Sequence, residues 1–463
     1  NVKLTVALTN KIKAKALIME SYMFIMPRIV VAILIFVFSF NNLFAADIPI
    51  IVIAPGKSVQ SYSTVGSAIS VIDNNEIEDS QYFFLTNVLN NNSTGINLFQ
   101  MGGHGTNAGI QLRGLPKRYS TVYIDGVRQS DPSSVSEDFD FSHILKNQIS
   151  RVEILKGNQS SVYGSGAMGG TINITTKRGK PGIQKFFSAN TGSNSIYNIA
   201  ASIAGADEKN DFFIGFERFE TEGISAMTDN TEKDAYRNGT IVANYGRKIS
   251  DFLKFQSHFR FIDTFVHYDG ADNMSVPDMP DTNTEHSKEA NGSLRLTYKP
   301  NSQFTNNFTY SHYYSGRAYD EAGEFSGLMQ EDFYYGFRDT FSYLGTYNIN
   351  LDNSIIFGVE KEFDELDWEK SGSDATFGEE ITSKYFDFQS RITKNLYATV
   401  GSRFDEHSDA GNEDSHRISL AYLFDDKSTK LKSSYGTSFR FPSLYELHKA
   451  WSEKKIQTTA ETG

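Results

Sequence analysis

The chain of 463 residues contains no cysteine, which removes a disulfide scaffold, a zinc–cysteine centre and a thiol nucleophile from consideration. It has no basic excess either. Its formal net charge is -12, so nucleic acid is not expected among its partners. Long apolar runs are missing except for one, "IVVAILIFVFSF" at Ile29 to Phe40, which is too short to cross a bilayer as a helix. No G-x-S-x-G stretch is present, so an esterase-like nucleophile has no local signature. The Gly-rich "YGSGAMGG", Tyr163 to Gly170, lacks the Lys-Ser/Thr ending of a phosphate-cradling loop. It reads instead as close backbone packing or positive φ. His104, His258, His267 and His448 do not have the i, i+4 spacing of a helical metal pair, and are taken as polar surface or lumen groups.

The apolar run follows "MPR" and precedes "NNLFAAD". A basic start, an apolar middle and a small-residue end make a secretory signal, cleaved after Ala45 or Ala46. On this reading residues 1–25 are a non-native upstream extension, and Met26 is the start of a signal peptide spanning 26–46. Residues 47–57 then form an apolar segment stopped by Pro55 and Gly56.

Two textures follow. From 58 to 181 short β-branched runs such as "STVYIDGVR", "ISRVEILKG" and "GGTINITTK" alternate with Gly and Asp, as in a small mixed α/β unit. "LTNVLNN" has room for one or two helical turns, and Asp-Gly in "IDGVR" marks a tight hairpin. From 182 to 463, thirteen segments near ten residues long show period-two alternation. In "NLYATVGSRF" Leu396, Ala398, Val400 and Phe404 oppose Tyr397, Thr399, Gly401 and Arg403. In "HRISLAYLF" Ile418, Leu420 and Tyr422 oppose Arg417, Ser419 and Ala421, and in "IIFGVEKEF" Ile355, Phe357, Val359 and Phe363 oppose Gly358, Glu360 and Glu362. Charge confined to one face suits strands with an apolar phase on one side and water on the other. A soluble sandwich alternates too, so the links between strands decide. Brief links ("RKISD", "KPNSQ", "TKN") alternate with long ones near 220–235, 265–288, 315–331, 365–380 and 405–414, as periplasmic turns alternate with extracellular loops in an outer-membrane barrel. Bacterial barrels have even strand numbers. The thirteen segments therefore imply a barrel whose last strands lie beyond this sequence.

The stretches "IIVIAP", "GIQLRG", "VYIDGVR", "ISRVEILKGNQSSVYGSGAMGGTINITTKRG" and "SYGTSFRFPSLYEL", in this order, resemble the TonB-dependent outer-membrane transporters. In that family a globular plug fills the lumen of a twenty-two-stranded barrel. The resemblance implies a transmembrane antiparallel β-barrel with an N-terminal α/β plug, with about nine strands, roughly 150–200 residues, still to come. It implies no enzymatic activity. It also makes Ile50, Ile51, Val52, Ile53 and Ala54 the energy-coupling segment, able to add as a strand to an edge of the periplasmic partner TonB until Pro55, which has no amide hydrogen, ends the pairing. A competing reading makes these residues simply the first strand of the plug.

Among its branches the chain most resembles the cobalamin transporters. "GGHGTNAGIQLRG" places Thr106 and Asn107 at cobalamin-contacting positions of the plug apex. "DPSSVSED", aligned with one extra residue, places Val135 and Ser136 there too. A ferric siderophore is the alternative ligand, and an adhesin without transport is the alternative of a different class. Asp269, Asp272, Asp278 and Asp281 lie in one long loop, where some cobalamin transporters bind calcium through such hard oxygen ligands; a solvated acidic loop is the competing reading. Arg113, Arg151, Glu153 and Lys156 are either solvated charges or partners of charges on the barrel wall. The remaining expectations are a monomer, surrounded by lipid in the outer membrane of a Gram-negative bacterium.

Overall fold

Short strands between turn residues build the amino-terminal unit. The computed structural model describes residues 50–51, 57, 60–225, 233–268, 283–322, 329–370, 373–425 and 429–448. The upstream extension and the signal peptide lie outside them, as do Val52, Ile53, Ala54 and the four loop aspartates. Pro49–Leu423 with Lys430–Gly463 form one unit, and all that follows concerns it; the other, Asn1–Ile48 with Phe424–Thr429, consists almost wholly of undescribed residues.

Strand β1 (Ile50–Ile51) pairs antiparallel with β2 (Gln60–Ser61). Then come β3 (Ala68–Ile72), helix α1 (Asn74–Asp79), helix α2 (Leu85–Asn92), and the hairpin of β4 (Ile96–Gln100) and β5 (Ala108–Leu112). Asp73 starts α1 with a capping box, its carboxylate accepting from Asn75 and Glu76 while Glu76 reaches back to the Asp73 amide, which satisfies donors a helix start leaves bare. The unit continues with β6 (Ser120–Ile124), β7 (Val127–Arg128), β8 (Ile149–Lys156), α3 (Ser160–Tyr163) and β9 (Gly170–Thr176). The sheet order is β3-β8-β9-β6-β7, with only β6 and β9 parallel. The "IDGVR" hairpin forms as its Asp-Gly pair demands: Asp125 and Gly126 sit at φ 48° and 87°, the left-handed pair a two-residue turn requires. In "YGSGAMGG", Gly170 has φ 149° and a side chain there would meet the Leu155 carbonyl at 2.1 Å, so close packing is the role of that stretch. Leu85, Val88, Leu89, Ile110, Val122 and Ile172 belong to one buried core cluster, each stabilising the unit by about 1.5–3 kcal/mol.

Glu153 is the exception in this core. Its side chain is 1% exposed and accepts from Arg151 Nε at 2.7 Å, while its second oxygen has no partner among the described residues. Burial pushes its carboxyl up to about 7, against the pull of Arg151. A carboxyl raised in the fold stabilises it most below the unfolded value near 4.3, and that stabilisation is lost as pH climbs through 7. The contribution of Glu153 to plug stability is therefore expected to fall, by on the order of 3 kcal/mol, between pH 4.5 and 7.5. Replacing Glu153 by Gln should flatten that slope in pH-dependent unfolding of the purified protein; an unchanged slope would place the titration elsewhere.

Thirteen strands follow, as the alternation implied, in sequential antiparallel order from β10 to β22. They are β10 (Gly182–Gly192), β11 (Ile196–Ala206), β12 (Asn210–Thr221), β13 (Tyr236–Lys248), β14 (Leu253–His267), β15 (Thr284–Tyr298), β16 (Phe304–Ala322), β17 (Met329–Asn348), β18 (Asn353–Lys370), β19 (Ser373–Arg391), β20 (Leu396–His407), β21 (Gly411–Leu423) and β22 (Lys430–Gly436). Their two faces are inverted relative to a soluble sheet. On β20, Val400 and Phe404 are 47% and 56% exposed, whereas Arg403 and Asp405 are each 3% exposed. Large apolar groups facing out and charges facing in suit a sheet with lipid outside and a polar lumen.

Two expectations need correction. The segments 315–331, 365–380 and 405–414 are mostly strand rather than loop: β16 runs to Ala322, β18 to Lys370 and β20 to His407, and their partners resume within a few residues. Ladder pairing continues through these segments, whose inward side chains such as Ser315, Leu366 and Asp405 are buried. Charge is not confined to the inward face either. Outward pairs Asp263–His286, Asp339–His312, Glu380–Lys361 and Asp414–His416 occur, beyond the apolar positions nearest the short turns. Pairing reduces what an outward charge costs there.

Candidate functional site

The inward faces of β12 to β21 meet the first unit in sequence order. Glu217 on β12 accepts from Asn147 at 2.6 Å, Asn244 on β13 donates to Thr176 and Lys177, and His258 on β14 meets Asp125 at 3.0 Å. Arg317 on β16 reaches Asp131 at 3.1 Å, and Arg403 on β20 donates to the Val162 carbonyl. The first unit thus fills the concave side of the sheet as a plug. Of the four charges singled out on the plug, Arg151 and Glu153 pair with each other, Lys156 turns to Ser70 and Thr94, and Arg113 lies beside Gly157. They stay within the plug; other residues carry the ionic seam.

Two plug loops form one platform. In the first, Thr106 turns inward, donating from Oγ1 to the Gly103 carbonyl at 2.8 Å. Asn107 is exposed and accepts from Lys117 Nζ at 2.8 Å. His104 stacks on Phe84 at 5.2 Å, and burial lowers its imidazole pKa. In the second loop Asp131 closes a turn by accepting from Ser133 N and Oγ. Val135 is 60% exposed, and Ser136 donates to Asp138 at 3.0 Å. Lys117 joins the loops, because it also pairs with Asp138 at 3.1 Å. Asn107 and the Ser136–Asp138 stretch are therefore brought together; the Val135 side chain is exposed, and Thr106 serves its own turn. From the sheet side, Arg440 donates to the Ser136 carbonyl at 3.0 Å and Ser443 to the Val135 carbonyl at 2.7 Å.

Beneath the second loop lies a buried cluster. Arg338, among the largest fully buried side chains, pairs with Asp364, Glu362 and Glu137 and donates to the Ser130 carbonyl. Arg128 pairs with Glu137 at 3.0 Å and Glu362 at 2.9 Å. Burial opposes ionisation of Glu137, but Arg128 and Arg338 outweigh it and hold that carboxyl down at about 2. Two residues along the same face of β18, Glu360 pairs with Arg403 at 3.2 Å and with Lys57 at 3.0 Å. Burial lowers the Lys57 pKa, with Glu360 opposing it, and the ammonium lies over the rings of Tyr123, Tyr163 and Tyr385. A line of charge thus runs from Lys57, shortly after β1, to the second plug loop. Ile50 and Ile51 are paired with Ser61 and Gln60.

Sequence reasoning missed a second surface. Inward residues at the loop-side ends of the strands gather aromatics and cations: Lys370 lies 4.9 Å over Tyr334 and 5.8 Å from Trp368, and Arg317 lies 5.6 Å from Tyr334 and 5.9 Å from Tyr319. Trp368 meets Phe377 at 5.4 Å, and Phe377 stacks on His448 at 4.2 Å. Strand parity was the available signal, since Trp368 shares its face with Glu360, Glu362 and Asp364. Among the described residues no group of three His, Asp or Glu could hold a metal ion.

A charged-inside, apolar-outside sheet around an α/β plug defines a plugged-barrel receptor. Residues 61–171 match the TonB-dependent Receptor Plug Domain, and residues 229–459 match the TonB dependent receptor-like beta-barrel. The chain belongs to the TonB-dependent receptors, a family of receptors rather than enzymes. It is 25% identical over 413 residues to the vitamin B12 transporter BtuB of Vibrio vulnificus, covering 86% of this chain and 64% of that protein. Similar solved structures include the siderophore receptor PirA of Acinetobacter baumannii, with TM-score 0.66, 18% identity, and 82% and 62% of the two chains covered. A ferric enterobactin receptor of Pseudomonas aeruginosa, in complex with enterobactin, has TM-score 0.66 and 15% identity over 83% and 64% of the two chains. The present chain therefore spans less than two thirds of these relatives.

Proposed function

We propose that the chain comprises the plug and thirteen strands of an outer-membrane importer that takes up a large, scarce nutrient using work delivered by TonB, with cobalamin as its ligand. The plug apex carries this reading. Its charges, Lys117, Asp131, Glu137 and Asp138, are spent on internal pairs, so an incoming ligand meets an amide, hydroxyls and the exposed Val135 side chain, groups suited to a neutral, amide-fringed molecule. The named activity of the Vibrio vulnificus relative supports it. Ile50 to Ala54 are the segment offered to TonB, and Asp269, Asp272, Asp278 and Asp281 are offered as calcium ligands of the outer loops.

A ferric siderophore is the second reading, favoured by the aromatic and cationic wall of Arg317, Tyr334, Trp368 and Lys370, which suits an anionic aromatic chelate. Calorimetric titration of the full-length receptor with cyanocobalamin and with ferric catecholates separates the two. Tight cobalamin binding with no catecholate heat is expected, and the reverse would transfer the assignment. Repeating the titrations with calcium and with chelator reads the calcium proposal, which an unchanged affinity would end. Growth on limiting ligand that does not depend on TonB would favour an adhesin.

A further inference from the structure

After β22 the chain turns back and packs on the plug. Gly166 donates its amide to the Phe439 carbonyl at 3.1 Å, and Phe441 donates its amide to Ser165 Oγ at 2.9 Å. Phe441 and Leu444 are buried, and the Phe441 ring meets His407 of β20 at 4.7 Å. Pro442 follows, and residues 444–448 are helical. Ser443 caps that turn: its hydroxyl oxygen accepts from the Glu446 amide at 3.2 Å, while Glu446 Oε2 accepts from the Ser443 amide at 2.9 Å, the reciprocal pair of a capping box.

A serine hydroxyl that accepts one bond still has a proton to give. Ser443 gives it to the Val135 carbonyl at 2.7 Å, and Arg440, which also pairs with Glu446 at 2.8 Å, donates to the Ser136 carbonyl at 3.0 Å. Both grips are on backbone oxygens, so they place the second plug loop whatever side chains stand at 135 and 136. The first loop meets the sheet differently, through the His104 ring against Phe219 at 5.3 Å and Gly105 against the Tyr236 ring. The capped turn also reaches the aromatic wall. Tyr445 lies 5.9 Å from Trp368 of β18, and His448 stacks on Phe377 of β19 at 4.2 Å. Residues 439–448 thus touch the second plug loop and the loop-side ends of two strands at once.

We propose that Ser443 and Arg440 are positioning residues for ligand binding, and that residues 439–448 form a strut through which the aromatic wall sets the place of the second plug loop. Ligand contact at Trp368 or Tyr445 is thereby coupled to Val135 and Ser136. This role rests on the reading that Val135 and Ser136 face the ligand; the strut itself does not depend on which ligand that is.

The test is hydrogen exchange of the full-length receptor read by mass spectrometry, with calorimetric titration of cyanocobalamin on the same preparations. In the second loop the amides of Ser133, Ser134, Glu137 and Asp138 are hydrogen-bonded, so exchange there reports loosening. Ser443→Ala should raise exchange across residues 131–138, leave residues 101–107 as in wild type, and weaken cyanocobalamin binding roughly fivefold, as loss of one hydrogen bond implies. Ser443→Thr keeps the hydroxyl and should restore both. Glu446→Ala breaks the cap but leaves both donors, so it should loosen residues 444–448 more than 131–138. Trp368→Ala should raise exchange at 131–138 although its ring partners are Phe377, Tyr445 and Lys370. If Ser443→Ala does not fold, Arg440→Leu removes the other grip and should loosen the same residues. Wild-type exchange at 131–138 in Ser443→Ala or in Trp368→Ala, or equal loosening there by Glu446→Ala, would overturn the strut. Failure of wild type to bind cyanocobalamin would instead overturn the ligand reading and leave the exchange result standing.

Discussion

Replacing Arg338 by alanine is expected to cost about 3–5 kcal/mol and to loosen the second apical loop. The guanidinium is shared by Asp364, Glu362 and Glu137 and also holds the Ser130 carbonyl. Two cations, Arg128 and Arg338, already face these three carboxylates; removing one leaves desolvated negative charge with too little compensation. Lysine at 338 should be intermediate, because it keeps the charge but cannot fork between Glu137 and Asp364. Unfolding rates of the purified protein, with protease cleavage between Ser130 and Asp140, would measure both effects. Wild-type rates and wild-type cleavage in Arg338→Ala would show that the cluster is not what secures the loop.

Uptake is expected to disappear in Val52→Pro while ligand binding at the cell surface survives. A strand added to an edge of TonB is held by backbone hydrogen bonds, and proline in the middle of the segment removes a donor and fixes φ. Among the described residues, neither the buried core cluster nor the apical platform includes Ile50 or Ile51, so affinity is expected to hold. Ile50 and Ile51 pair with β2 along one edge only, so on the proposed reading the added strand of TonB takes the other edge without displacing Gln60 or Ser61. Transport of labelled ligand in cells carrying the variant reads the outcome. Normal transport would assign the segment to the plug alone.

The faces of the barrel strands were legible in the sequence, because a strand reports the environment of each side at every second residue. Val400 and Phe404 against Arg403 are the clearest case, and Trp368 could have been assigned to the lumen by the same parity. Asp-Gly at 125–126 and the helix at Leu85–Asn92 were legible for a similar reason, since turn and helix chemistry act over a few residues. The strand extensions at 315–331 and 365–380 were not, because a stretch rich in Asp, Glu, Ser and Gly looks alike in a loop and in a strand ladder. Nor could any local pattern join Lys57 to Glu360, 303 positions away, or Glu137 to Arg338, 201 away. Local periodicity determined which side of each strand is apolar and which carries charge toward the plug. The partner of each buried charge was decided only when the plug and sheet came together, because ion pairing depends on distance in space, and strand register and plug orientation set that distance.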